Sequence, residues 1–277
     1  MNDISAAQQA SWNRFSAGWK KWDDETMAFL APHGAAIIEY LQPNGSDVVL
    51  DVAAGTGEPG LSMAKLVTSG KVVMADLAGD MLRVAKDKAA AAGVTNVEFR
   101  EADVSKLPFP DASFDRVSCR MGFMFFPDMQ LAANEMARVL KPGGKVATTV
   151  WSAPDKNFWV TAMVRGIGKH IEMTPPPPDA PGMFRCARPG TITQVFANAG
   201  LEDITETEVP CKLDCNGALG YWNMMTEVAA PFVAALSKAD EATVARIKAD
   251  VISAVDERYP GGVLDGCGTL IVARKRG

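Results

Sequence analysis

Histidine is scarce in this sequence: His33 and His170 are the only two in 277 residues. A step that needs an unperturbed side chain titrating near neutrality therefore has two candidates. The five cysteines, Cys119, Cys186, Cys211, Cys215 and Cys267, are odd in number, scattered and without a CxxC pair. Neither a metal site nor a disulfide framework is expected of them, and they read as free, mostly buried thiols. No Lys/Arg run occurs, and 28 basic against 33 acidic side chains leave a formal charge of −5. A phosphate-backbone binder needs the opposite balance, so nucleic acid is not an expected partner. No apolar stretch approaches the roughly 18 residues of a membrane span, and the first eleven residues lack a basic flank before an apolar core. These absences point to a cytoplasmic protein. The composition, 48% hydrophobic and 22% charged, excludes collagen-like, disordered and disulfide-scaffold classes. The length fits one large domain or a domain carrying an elaboration.

What is present alternates between strand and helix patterns. Residues 12–41 carry apolar positions at helical spacing (Phe29, Leu30, Ile37, Ile38, Leu41) interrupted by Pro32, which predicts two short helices. Apolar runs beginning at Val48 and Val72, and Val97-Glu98-Phe99-Arg100, predict three strands, with helices reaching about Val67 and over 81–92. Residues 114–119 and 145–151 read as strands four and five, separated by a helix over 130–140 and a tight turn at Lys141-Pro142-Gly143-Gly144. Beyond Ala153 the character changes to a helix followed by Pro175-Pro176-Pro177-Pro178, an extended connector. A helix over 192–199, a strand over 204–213, helical sequence over 218–259 broken near Pro231 and Lys238, and a strand over 269–273 complete the pattern. This is an α/β protein with a parallel sheet. Residues 1–42, 153–188 and 216–260 are expected to form a helical cap on a core made of 43–152 and the remainder of 189–277.

Gly55-Thr56-Gly57-Glu58-Pro59-Gly60 follows the first strand as a GxGxxG turn, and Asp76 lies 19 residues past Gly57 at the end of the second strand, where a ribose-binding acid belongs. Asp51 and Glu58 flank this turn and would repel the pyrophosphate of a nicotinamide or flavin dinucleotide. They would instead favour the ammonium and sulfonium of S-adenosylmethionine. A plainer role for both acids is to cap the following helix.

With these motifs in order, the chain resembles the class I S-adenosylmethionine-dependent methyltransferases, in particular the ubiquinone/menaquinone-biosynthesis branch. The resemblance rests on Val49-Leu50-Asp51-Val52-Ala53-Ala54-Gly55-Thr56-Gly57, Ala75-Asp76-Leu77 with Met81-Leu82, Asp103-Val104 before Leu107-Pro108-Phe109, Phe114-Asp115-Arg116-Val117, and Arg138-Val139-Leu140-Lys141-Pro142-Gly143-Gly144. It implies a Rossmann-like seven-stranded sheet, mostly parallel with an antiparallel last strand, and helices on both faces. It implies S-adenosylmethionine as cofactor, S-adenosylhomocysteine as product and a small methyl acceptor, apolar or aromatic. By the same resemblance Asp51, Ala53, Gly55 and Gly57 approach the methionine moiety, and Asp76 holds the ribose. Leu77 and Met81 lie against the adenine, Asp103 and Val104 at its edge. Arg120, mainly through its backbone, and Met121 reach the methionine end. An NAD(P)-dependent oxidoreductase and a non-catalytic S-adenosylmethionine-binding protein are the alternatives.

Trp12, Phe15, Trp19 and Trp22 recur at spacings of 3, 4 and 3, so they share one helix face, either as a lid over the crevice or as core packing. Met121 to Phe126 would give the crevice an apolar wall. Trp12, Phe15, Trp19, Phe125, Trp159, Tyr221 and Trp222 are the candidates for the acceptor pocket. His170, in the segment after strand five, is the candidate general base; a purely structural cap histidine is the alternative.

Overall fold

Residues 3–172, 177 and 179–277 are described by the computed structural model, the side chain of residue 3 excepted. Two helices, α1 (Asp3–Lys21) and α2 (Asp23–Leu41), open the chain. They are 19 residues each, and the break falls at Trp22 rather than at Pro32, which sits inside α2. Proline there removes the donor to Ala28, and Pro32 and Ala28 both line a surface depression beside β6 and β7. The opposite face of α2 buries Phe29, Leu30, His33, Ile37 and Leu41. Burial of four large apolar side chains, at roughly 1.5–3 kcal/mol each, outweighs the one lost bond.

The βα units follow as β1 (Val48–Val52), α3 (Gly60–Ala64), β2 (Lys71–Asp76), α4 (Gly79–Ala91), β3 (Val97–Glu101), β4 (Phe114–Arg120), α5 (Met129–Val139) and β5 (Leu140–Trp151). Helix α3 stops short of the expected Val67 because Asn96 Nδ2 donates to the carbonyls of Ala64 and Val67, fixing a non-helical turn. The turn expected at residues 141–144 is a bulge within β5, between the pairs Phe114–Leu140 and Arg116–Lys145, with Gly143 at φ +74°. The remaining elements are α6 (Phe158–Gly168), α7 (Thr191–Asn198), β6 (Leu201–Asp214), α8 (Ala218–Val228), α9 (Ala230–Leu236), α10 (Glu241–Arg258) and β7 (Val263–Lys275). Most of the expected polyproline connector (Pro175, Pro176, Pro178) lies outside the described residues.

The sheet has seven strands in the order β3-β2-β1-β4-β5-β7-β6. β1 to β5 are mutually parallel, and β7 runs antiparallel to both β5 and β6. This is the expected Rossmann-like arrangement. Because side chains alternate along a strand, one core lies under α2, α3 and α4 (Ile37, Leu61, Met74, Leu82) and a larger one continues from the other face into the cap (Phe123, Met136, Phe196, Tyr221). Asn157, fully buried, ties the cap to the sheet: it donates to the Cys267 and Ser152 carbonyls and accepts from the Cys267 N–H and the Trp159 indole. Among the described residues no helix is long and apolar enough to cross a membrane. All five cysteines are free and buried, and burial pushes Cys119, Cys186, Cys211 and Cys215 up to about 12.

Candidate active site

The strand order reverses between β1 and β4, which opens a crevice at the carboxyl ends of the parallel strands. The loop after β1 places Ala53, Gly55 and Gly57 at φ +54°, +53° and +110°. Glycine adopts such values without strain, and a Cβ on Gly57 would stand 2.8 Å from Leu61 Cδ1. Asp76, at the end of β2, holds this loop: its Oδ2 accepts from the Gly55 N–H at 2.8 Å and its Oδ1 from the Ala78 N–H at 2.8 Å. Burial raises its pKa, with those backbone bonds opposing. A carboxylate has about four acceptor sites, so capacity for ribose hydroxyls remains.

Asp51 and Glu58 take the capping role in this structure. Asp51 is fully buried, accepting from Ser118 Oγ at 2.6 Å and from the Gly60 N–H at 3.1 Å, while Glu58 accepts from the Ser62 N–H. Burial pushes Asp51 up to about 7 against the pull of the Ser118 bond and the Arg120 charge. Asp103 caps a short 3-10 turn through the Ser105 N–H, with Val104 buried beside it. Met81 is buried, its Cε in van der Waals range of the position a Gly55 side chain would occupy. Met121 is left-handed at φ +59°. The guanidinium of Arg120, the last residue of β4, has one hydrogen bond among the described residues, to Met27 Sδ at 3.5 Å.

Helix α1 lies across this crevice. Gln9 Nε2 donates to the Leu77 carbonyl at 2.9 Å and to Glu101 at 2.8 Å, and Asn13 Oδ1 accepts from the Asp80 N–H at the start of α4. Farther along α1, Trp12 meets Phe125 edge-on at 5.3 Å and Trp19 at 6.2 Å. Phe15 is half-buried beside Arg14. At its end Trp22 Nε1 and Lys21 reach Glu227 on α8. A second tie comes from Asp23 at the start of α2, which pairs with Lys88 and accepts from Thr56 Oγ1 in the glycine-rich loop. Sequence reasoning missed Gln9, Asn13, Asp23 and Ser118, whose side-chain partners at the site lie 33 or more residues away.

Of the acceptor-pocket candidates, Trp12, Trp19 and Phe125 come together over the crevice. Trp159, Tyr221 and Trp222 are buried in the cap, where Trp159 packs on Phe29 and Trp151 and the Tyr221 hydroxyl donates to the Trp159 carbonyl. His170, the candidate base, pairs with Asp250 of α10 at 2.7 Å, on the helical cap. His33 is instead fully buried and lowered to about 3, first by burial and then by the Arg120 charge.

The family described as a methyltransferase domain matches residues 49–144. The ubiquinone/menaquinone biosynthesis C-methyltransferase UbiE of Pseudomonas fluorescens is 44% identical over 108 residues, 38% of this chain and 42% of that protein. The uncharacterized protein Mb1440c of Mycobacterium bovis is 34% identical over 163 residues, 58% of each chain. The chain thus spans about half the length of these curated relatives. Among solved structures, the YcgJ protein from Bacillus subtilis superposes with a TM-score of 0.59 at 22% identity, covering 88% of this chain and 99% of that one.

Proposed function

From the premise that residues 49–144 carry a methyltransferase domain, we propose that the chain transfers a methyl group from S-adenosylmethionine to a small apolar or aromatic acceptor. The observation that carries this reading is the loop 53–57, three left-handed residues tethered at the Gly55 N–H by Oδ2 of Asp76. That cradle fits an adenosyl ligand: backbone can approach at Gly55 and Gly57, Asp76 faces the ribose, Asp103 and Val104 border the adenine, and the acids behind the loop attract a cationic amino acid end. S-adenosylmethionine supplies an electrophilic methyl on a sulfonium. The chain's part is alignment and exclusion of water. Residues 1–42 act as the lid, with Gln9 and Asn13 closing on the segment 77–80 and Trp12, backed by Trp19, on Phe125.

The UbiE relative is named for ubiquinone and menaquinone biosynthesis, and the aromatic lining at Trp12, Trp19 and Phe125 supports a ring-bearing acceptor here too. A nucleic-acid acceptor is disfavoured by the net charge of −5. The oxidoreductase alternative has no support in the relatives and requires a pyrophosphate beside Asp51 and Glu58. Calorimetry tests the reading directly: S-adenosylhomocysteine should bind and NAD should neither bind nor compete. NAD binding at comparable affinity would overturn it.

A further inference from the structure

Three buried polar atoms lack a hydrogen-bond partner among the described residues: Trp19 Nε1, His33 Nδ1 and Thr149 Oγ1. Each unmet bond of this kind costs about 1–3 kcal/mol, so its retention calls for a partner. Two of the three lie in one place. Arg120 and Thr149 are register neighbours on β4 and β5 and share the sheet face that α2 covers; Trp151, two residues along β5, shares it as well. Trp151 pairs with Gly268, and a Cβ on Gly268 would fall 2.5 Å from His33 Cε1 and 3.0 Å from Nδ1, so the imidazole stands directly on that glycine. The ring of His33 also meets Trp151 edge-on at 5.4 Å, and Phe29 stacks on Trp151 at 5.3 Å.

Arg120 completes the group. No carboxylate lies within 4.0 Å of its guanidinium among the described residues, and its one bond is to a thioether. The nearby acids are committed elsewhere: Asp51 to Ser118 and Gly60, Glu58 to Ser62, Asp23 to Lys88. Burial lowers the pKa of Arg120 against the pull of the Asp51, Glu58 and Asp23 charges, none of which bonds to the guanidinium.

We propose that Arg120, Thr149 and His33, walled by Trp151 and Phe29, form a subsite for an anionic oxygen carried on the ring of the methyl acceptor. The guanidinium meets the charge, the Thr149 hydroxyl and His33 Nδ1 take the remaining hydrogen-bond positions, and the aromatic walls exclude water. This rests on the methyltransferase reading. It makes Arg120 the group that holds the acceptor oxygen ionised, since His33 is neutral at working pH and His170 is engaged with Asp250 on α10. The other source of an anionic oxygen in the crevice is the carboxylate of the methyl donor.

The test uses the full chain saturated with S-adenosylhomocysteine and 4-nitrophenol as a chromophoric probe. Bound 4-nitrophenol should ionise about one pH unit or more below the free compound. Arg120→Met should abolish that displacement, and the near-isosteric Thr149→Val should weaken probe binding about fivefold while retaining the melting profile. An unshifted ionisation, or Thr149→Val binding the probe as tightly as the wild type, overturns the subsite. If Arg120→Met weakens S-adenosylhomocysteine about tenfold or more but leaves 5′-methylthioadenosine unaffected, the guanidinium serves the donor carboxylate and the assignment to the acceptor is overturned. Failure of wild-type protein to bind S-adenosylhomocysteine would instead strike at the methyltransferase reading itself.

Discussion

Asp51 has no contact with solvent, and its pKa of about 7 stands above the 3.8 of an ordinary aspartate. An acid whose folded pKa is raised destabilises the fold when ionised: the protein is most stable with respect to this group below about pH 4 and loses that stability as pH rises through about 7. At 1.36 kcal/mol per pH unit the span is on the order of 4 kcal/mol. Asp51→Asn preserves an acceptor for the Gly60 N–H and removes the charge. The difference between wild type and variant in denaturant unfolding should therefore grow in the variant's favour from pH 4 to 7 and flatten above, while donor affinity falls. A constant difference across that range would mean that Asp51 ionises normally. Asp76 is the complementary case. Asp76→Ala frees the Gly55 and Ala78 N–H groups and removes the ribose acceptor, so S-adenosylhomocysteine should bind about 1.5–3 kcal/mol more weakly by calorimetry. His170→Gln breaks the pair with Asp250 on the cap; a stability loss under about 1 kcal/mol with turnover retained is expected. A loss of turnover of about a hundredfold, together with disappearance of the acidic limb from the rate profile, would instead make His170 the base.

Among the elements, α1 makes the most specific contacts with the candidate site from farthest away in sequence. Its approach to α8 is set by Gly18, where a Cβ would lie 2.2 Å from the Glu227 carbonyl oxygen, closer than any side chain can stand. Gly18→Val must push the two helices apart, drawing Trp12 off Phe125 while leaving all seven strands intact. The expected result is faster release of S-adenosylhomocysteine in stopped-flow experiments, by about tenfold, with an altered tryptophan emission and a cooperative melt. Unchanged release would show that α1 packs on the crevice without gating it. The sequence indicated the aromatic face of this helix but left lid and core packing equivalent, because a spacing of 3, 4 and 3 specifies a face and not what the face meets.

At the scale of the whole molecule, a ligand that binds the folded crevice alone should stabilise the chain by about 2.7 kcal/mol at a hundred times its dissociation constant. S-adenosylhomocysteine should thus raise the melting temperature by a few degrees and NAD should leave it unchanged. The sequence by itself determined the βα alternation, the glycine-rich turn and Asp76. These rest on local signals: apolar runs of strand length, left-handed positions that favour glycine, and an acid at a strand end. The tertiary structure decided what depends on long-range approach. Pro32 stays inside α2 because the sheet repays its lost bond, a balance invisible in the residues around it. Asp51 and Glu58 accept from the backbone N–H groups of Gly60 and Ser62 at the start of α3, although their position beside the turn pointed first to a direct role toward the donor's cations. His33 and Thr149 come near Arg120 only because β4, β5 and α2 converge at one end of the sheet, where side chains 29 and 87 residues from Arg120 in sequence are buried together.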